Sequence, residues 1–98
     1  MTINILTEEG KAVVALEGRL DTVTAPELEE KLNEFGDSIN DLIFDFSNLE
    51  YISSAGLRVM LLSQKKMNKI GHMKIINVCE DIKDIFEMTG FSDIIDIE

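Results

Sequence analysis

Leu42-Ile43-Phe44-Asp45-Phe46 is almost unbroken apolar sequence, and a long helical pattern starts about nine residues later, near Ala55. A short apolar run bounded by polar residues reads as a strand, and its near-continuous character places it centrally in a sheet. A central strand followed by a helix implies a crossover to a parallel neighbour. This one segment therefore commits the chain to an α/β architecture.

The flanking sequence fills in the rest. Residues 3–7 alternate weakly and read as an edge strand; Glu8-Glu9-Gly10-Lys11 is a turn; residues 12–16 are a short apolar strand that closes a hairpin. Gly18 to Val23 reads as a loop. Thr24 and Glu27 have capping-box spacing, with Pro26 in the first helical turn, and this helix runs to about Phe35, where Gly36 stops it. Leu28, Leu32 and Phe35 share its apolar face. The second helix spans about 55–70, with Leu57, Met60, Leu61 and Met67 on one face and Lys65, Lys66 and Lys69 near the negative end of its dipole. Residues 74–78 form a strand, 82–88 a helix and 94–97 a short last strand. The expected order is β-β-α-β-α-β-α-β: a single α/β domain over residues 1–98, with a mixed, mostly parallel sheet of four to five strands.

Composition narrows the function. Ninety-eight residues suffice for one core but not for a deep cofactor cavity as well. A net charge of −10 argues against nucleic acid and against an anionic membrane surface; it either suits a basic partner or serves only solubility. No apolar stretch is long enough to span a bilayer, and the start lacks a signal-peptide pattern, so a cytoplasmic location is expected. The lone Cys79 rules out an internal disulfide and reads as a small, partly buried residue. His72 is the sole histidine and has no second His or Cys with which to share a metal; it reads as solvent-facing. There is no phosphate-binding Gly-rich loop and no identifiable base for a serine nucleophile, so the chain is not expected to be an enzyme, to hold a metal or to need a cofactor.

Ser53-Ser54-Ala55-Gly56 stands where the central strand hands over to the second helix. The first N–H groups of a helix lack intrahelical acceptors, so serine caps them well and a phosphate there finds donors waiting. Sites in such sheets collect at the carboxyl ends of strands. If the second and third strands are parallel neighbours, the Gly18–Thr24 loop lies beside Ser54. Asp21 there either makes local backbone bonds or faces a partner. Arg58 either is solvated or touches a phosphate or a nearby acid. Tyr51 and Ile52 are expected to anchor the loop by burial. Gly56 allows either a partner's close approach or tight packing of the helix on the sheet.

Residues 44–58, Phe-Asp-Phe-Ser-Asn-Leu-Glu-Tyr-Ile-Ser-Ser-Ala-Gly-Leu-Arg, resemble the core of the STAS domain family, and more closely its bacterial anti-sigma factor antagonists. Glu17-Gly18-Arg19-Leu20-Asp21-Thr22-Val23-Thr24-Ala25-Pro26-Glu27-Leu28 is similar to the family's loop into its first helix, and Ile85-Phe86-Glu87-Met88-Thr89-Gly90-Phe91 to its last-helix segment. The resemblance implies that the unphosphorylated chain binds an anti-sigma factor serine kinase and frees a sigma factor. It implies that the kinase, which binds the ATP and Mg²⁺, then phosphorylates Ser54 and weakens the complex, and that a PP2C-type phosphatase resets it. Ser53 stands where many members carry an acid, and is a weaker alternative acceptor. Asp21, Thr22, Thr24, Ser53, Ser54, Ala55, Gly56 and Arg58 are the implied partner-binding residues.

Two other readings have the same pattern. A non-switching STAS scaffold subunit of a signalling or transporter-associated complex would use the fold without the phosphate. A phosphate-accepting receiver domain would use Asp45 as acceptor, but no acidic pair follows the first strand and the chain is short for five βα units.

Overall fold

The computed structural model describes residues 1–98. β1 (Thr2–Glu8) and β2 (Lys11–Leu20) form an antiparallel hairpin. From there the chain advances one strand at a time: α1 (Ala25–Asn33) leads to β3 (Asp41–Ile52), α2 (Ser54–Ile70) to β4 (His72–Ile76), and α3 (Glu80–Met88), with a 3-10 turn at Phe91–Asp93, to β5 (Asp96–Ile97). β2 to β5 are parallel, and the sheet order is β1-β2-β3-β4-β5. The expected element order and mostly parallel sheet are observed, with five strands, the last only two residues long.

Crossovers between parallel strands are right-handed almost without exception. A sheet that always steps in the same direction therefore gathers its helices on one face. Burial agrees. Ala12, Val14 and Leu16 of β2, Leu42, Phe44 and Phe46 of β3, and Met73 and Ile75 of β4 are buried in one core with Leu28 of α1, Val59 and Met60 of α2, and Ile82 and Phe86 of α3. The alternate residues Val13, Ala15, Lys74 and Ile76 are only partly covered. Phe44, Phe46, Phe86 and Phe91 run as a chain of rings, with neighbouring centroids 6.2–6.4 Å apart, from the sheet through α3 to the last turn.

β3 runs six residues past Phe46, where the apolar run ends. The cause is visible in its register with β2. Ala15 pairs with Asp45 but Glu17 with Asn48, and Gly18 pairs with Leu49 but Arg19 with Tyr51. Each step inserts one extra β3 residue, a bulge that breaks the two-residue alternation. The buried positions of β3 accordingly go from Leu42, Phe44 and Phe46 to Leu49 and Ile52. β2 extends in step to Leu20, with Gly18 at φ +103°, so Gly18–Leu20 is strand and not loop.

Other expectations change. Val59 and Gln64 join Met60 and Met67 on the buried face of α2, while Leu57 and Leu61 are half-buried. Gln64 donates to Asn68 Oδ1 at 2.8 Å. Cys79 is exposed, in extended backbone just before α3. His72 faces solvent as expected, with Nε2 3.5 Å from Asp96. Asp45 lies in mid-strand, and its carboxylate accepts from the Asn77 amide and the Ser47 N–H, both at 3.0 Å. Those bonds, the Asn77 one foremost, hold its carboxyl below the usual range against partial burial. It ties β3 to the end of β4, and is not the strand-end acceptor a receiver domain requires.

The α2–β4 junction depends on one small residue. A Cβ at Gly71 would lie 1.8 Å from the Asn40 carbonyl oxygen, which accepts the His72 N–H at 2.9 Å. The obstacle is backbone and cannot rotate away. Gly71→Ala is expected to cost about 3 kcal/mol, measured by urea or thermal unfolding; an unchanged midpoint would refute this packing.

Candidate site at the β2 and β3 carboxyl ends

Two strand-to-helix turns meet at the carboxyl edge of the sheet. Leu20 pairs with Ile52, the last residues of β2 and β3. Directly beyond them the Ser53 N–H donates to the Leu20 carbonyl at 2.8 Å. The adjacency inferred from topology is thus a direct backbone hydrogen bond between the end of β2, where the Asp21 turn starts, and the start of α2.

Gly56 closes the joint from above. It is buried in the first turn of α2, and a Cβ on it would sit 2.8 Å from both Leu20 Cγ and Ile52 Cγ1. Of its two possible roles the structure selects tight packing of helix on sheet. A larger residue would lift the helix start off the two strand ends.

The two serines divide their duties. α2 begins at Ser54, one residue earlier than expected, and Ser53 is its cap: extended backbone, with Oγ accepting the Gly56 N–H at 3.4 Å. The Ser53 carbonyl accepts the Leu57 N–H at 2.9 Å. Ser53 is half-buried, whereas Ser54, the first helical residue, is exposed. The N–H groups of Ser54 and Ala55 are left without intrahelical acceptors, as at any helix start.

The Asp21 turn is held from within. Asp21 Oδ1 accepts the Val23 and Thr24 N–H groups at 3.0 and 3.1 Å. The Thr24 hydroxyl accepts the Asp21 N–H at 2.9 Å and donates to the Arg19 carbonyl at 2.8 Å. That hydroxyl is therefore unavailable to α1, and the expected Thr24–Glu27 capping box does not form; Thr24 has helical backbone and makes no cap bond. Instead the Asp21 carbonyl accepts the Ala25 N–H at 2.8 Å. The Thr24 N–H does most to hold the Asp21 carboxyl below the usual range; the Val23 N–H, the Thr24 hydroxyl and nearby Arg19 add to this, against some desolvation.

Sequence reasoning missed an exposed cluster beside these turns. Tyr51 is 40% exposed, so only Ile52 anchors the segment by burial. The Arg19 guanidinium lies over the Tyr51 ring, 4.1 Å from its centroid, and its Nε is 4.0 Å from Asp21 Oδ2. The register that pairs Arg19 with Tyr51 explains the stacking. Val23, 82% exposed, projects from the same turn. The signal was latent in the strand alternation: with Ile52 inward, Tyr51 must point out. Arg58 is exposed on α2, one helical turn beyond Ser54. The structure thus brings Asp21, Thr22, Thr24, Ser53, Ser54, Ala55 and Gly56 to one end of the sheet, with Arg58 a turn along the helix. No group of three or more His, Cys, Asp or Glu residues is placed to hold a metal ion. No helix is long and apolar enough to cross a membrane.

The STAS domain family model matches residues 2–98, and the chain belongs to that family. An anti-sigma-B factor antagonist of Bacillus subtilis is 32% identical over 98 residues, covering 99% of this chain and 90% of the relative. The crystal structure of an anti-sigma factor antagonist from Mycobacterium paratuberculosis is similar at a TM-score of 0.88 and 26% identity, over 98% of this chain and 83% of that one. Bacillus SpoIIAA in its phosphorylated form shares the fold, with a TM-score of 0.79 at 17% identity, over 99% of this chain and 91% of that one.

The Asp21 turn makes a prediction about pH. Its carboxyl ionises more readily folded than unfolded, so its contribution to stability is present in full above the unfolded pKa, about 3.9, and is lost as pH falls through the lower folded value. Thermal unfolding between about pH 6 and pH 2 should lose midpoint more steeply for wild type than for Asp21→Asn, which has no charge to lose. Parallel curves would show that the Asp21 charge does not hold the turn.

Proposed function

We propose that this chain is an anti-sigma factor antagonist, a binding protein and kinase substrate rather than an enzyme. Its unphosphorylated form binds an anti-sigma factor serine kinase and so releases a sigma factor. The kinase transfers the γ-phosphoryl group of ATP to Ser54 Oγ: the P–O bond to ADP breaks, the new O–P bond forms, and the hydroxyl proton leaves to a kinase base. ATP and Mg²⁺ belong to the partner, and a PP2C-type phosphatase hydrolyses the phosphoserine. The cycle takes place in the cytoplasm, without nucleic acid or membrane, and residues 1–98 act as one STAS domain.

The observation that carries this reading is the division between the serines. Ser53 is half-buried and capping, while Ser54 is exposed at the first position of α2. A phosphate on Ser54 would leave the cap intact and meet the positive end of the helix dipole. The names of the relatives support the antagonist role. Asp21, Thr22 and Thr24 form the partner surface together with Ser53, Ser54, Ala55 and Arg58, while buried Gly56 seats the helix start on the sheet beneath them. A phosphate adds about −1.5 to −2 charge there, and an interfacial charge clash costs several kcal/mol, sufficient for a hundredfold loss of affinity.

The cognate anti-sigma factor serine kinase, with ATP, should add one phosphate to wild type and to Ser53→Ala, and none to Ser54→Ala, by intact-mass and peptide mass spectrometry. Ser53→Ala should lose about 1 kcal/mol with its cap. A normally phosphorylated Ser54→Ala would refute the site.

Ser54→Asp should bind that kinase more weakly than Ser54→Ala in calorimetric titration, while its unfolding free energy stays within ~1 kcal/mol because the carboxylate meets the helix N-terminus. If Ser54→Asp and the phosphorylated protein both bind as tightly as Ser54→Ala, the chain is a non-switching scaffold.

A further inference from the structure

We propose that Arg58 is the internal counter-ion for a phosphate carried on Ser54, an inference that rests on the switch reading above. Ser54 and Arg58 are both exposed and stand four residues apart on α2. Residues at that spacing are neighbours on a helix surface, and an anion on the N-terminal side of a cation is the favoured order.

Arg58 has nothing else to pair with. Its other helical neighbours at spacings of three and four are Ala55, Leu61 and Leu62, all uncharged. α2 carries Arg58, Lys65, Lys66 and Lys69 and no Asp or Glu, in a chain whose net charge is −10. The ion pairs of the molecule are Arg19–Asp21, His72–Asp96 and Lys74–Glu98, none of which involves Arg58. Ser54 is thus the one helical neighbour of Arg58 that can become an anion.

The adjoining elements offer no better cation. Arg19, at the end of β2, is engaged by the Tyr51 ring and Asp21. The other charged groups at this end are anionic: Asp21 after β2, Glu50 near the end of β3, and Glu27 in the first turn of α1. A phosphate on Ser54 therefore finds donors in the N–H groups of the helix start and in the guanidinium fork one turn on. Phosphorylation then does two things to the surface. It adds an anion, and it withdraws the only unpaired cation within a turn of Ser54.

Phosphoserine placed at position 54 during translation makes the test independent of any kinase. Its second ionisation is read by ³¹P NMR titration in wild type, Arg58→Gln, Arg58→Lys and Arg19→Gln. The wild-type phosphate should titrate roughly 0.15–0.4 pH unit below that of Arg58→Gln, with Arg58→Lys between them and Arg19→Gln matching wild type. Thermal unfolding of the same proteins should show Arg58→Gln lowering the midpoint more in the phosphorylated chain than in the unphosphorylated one. Equal ³¹P midpoints in wild type and Arg58→Gln, or a shift that follows Arg19→Gln instead, would overturn the assignment. If the kinase marks a residue other than Ser54, the switch reading fails, and the titration still decides whether Arg58 pairs with a phosphate there.

Discussion

The parallel pairing of β2 with β3 is the interaction on which the rest depends. It outlasts the apolar run that first defines it, passing through two bulges to Leu20 and Ile52. Every feature of the candidate site hangs from that last pair. The Ser53 N–H bonds to Leu20, Gly56 rests on both side chains, and the Asp21 turn starts at the next residue. Without the bulges the strands would remain in strict alternation and their ends would fall differently. The bulges let the chain bury Phe46, Leu49 and Ile52 while delivering two turns to the same point.

This arrangement separates rigidity from availability. In the Asp21 turn the Asp21, Val23 and Thr24 N–H groups and the Arg19 carbonyl are satisfied internally, by Asp21 Oδ1 and the Thr24 hydroxyl. The α2 start is fixed by the Ser53 cap and by contact with buried apolar side chains. What remains uncommitted is a small set of exposed groups: the Ser54 hydroxyl, the Arg58 guanidinium and the Val23 side chain. A partner meeting such a surface loses little entropy in ordering it, because the backbone beneath is already ordered.

Much of this was legible in the sequence. The apolar run at Leu42–Phe46, the glycines after the helices and the helical spacing of α1 and α2 gave the element order, and the parallel-neighbour argument placed Asp21 beside Ser54. The errors have separate local causes: a side chain whose hydrogen bonds went elsewhere, a strand residue given to the wrong face, and a strand that ended early. Thr24 fits a capping box by spacing, but its hydroxyl has nearer partners in Arg19 and Asp21. Tyr51 was expected to be buried with Ile52, but adjacent strand residues face opposite sides, and the two one-residue bulges between Phe46 and Ile52 cancel in phase, so Tyr51 points out. Cys79 looked partly buried beside Val78, but the strand had already ended at Ile76. No local pattern announces a bulge, so the sheet past Phe46 could only be seen folded.

The monotonic strand order has a consequence for what kind of ligand this end of the sheet can receive. In doubly wound sheets a crevice opens where two adjacent strands send their connections to opposite faces, and nucleotides settle in that gap. Here each crossover steps the same way, β2 to β3 to β4 to β5, and no neighbouring pair diverges. The strand ends therefore form a shelf with no cleft between them. A shelf is poor at enclosing a small molecule and well suited to lying against another macromolecule, where one added group can hold the two surfaces apart.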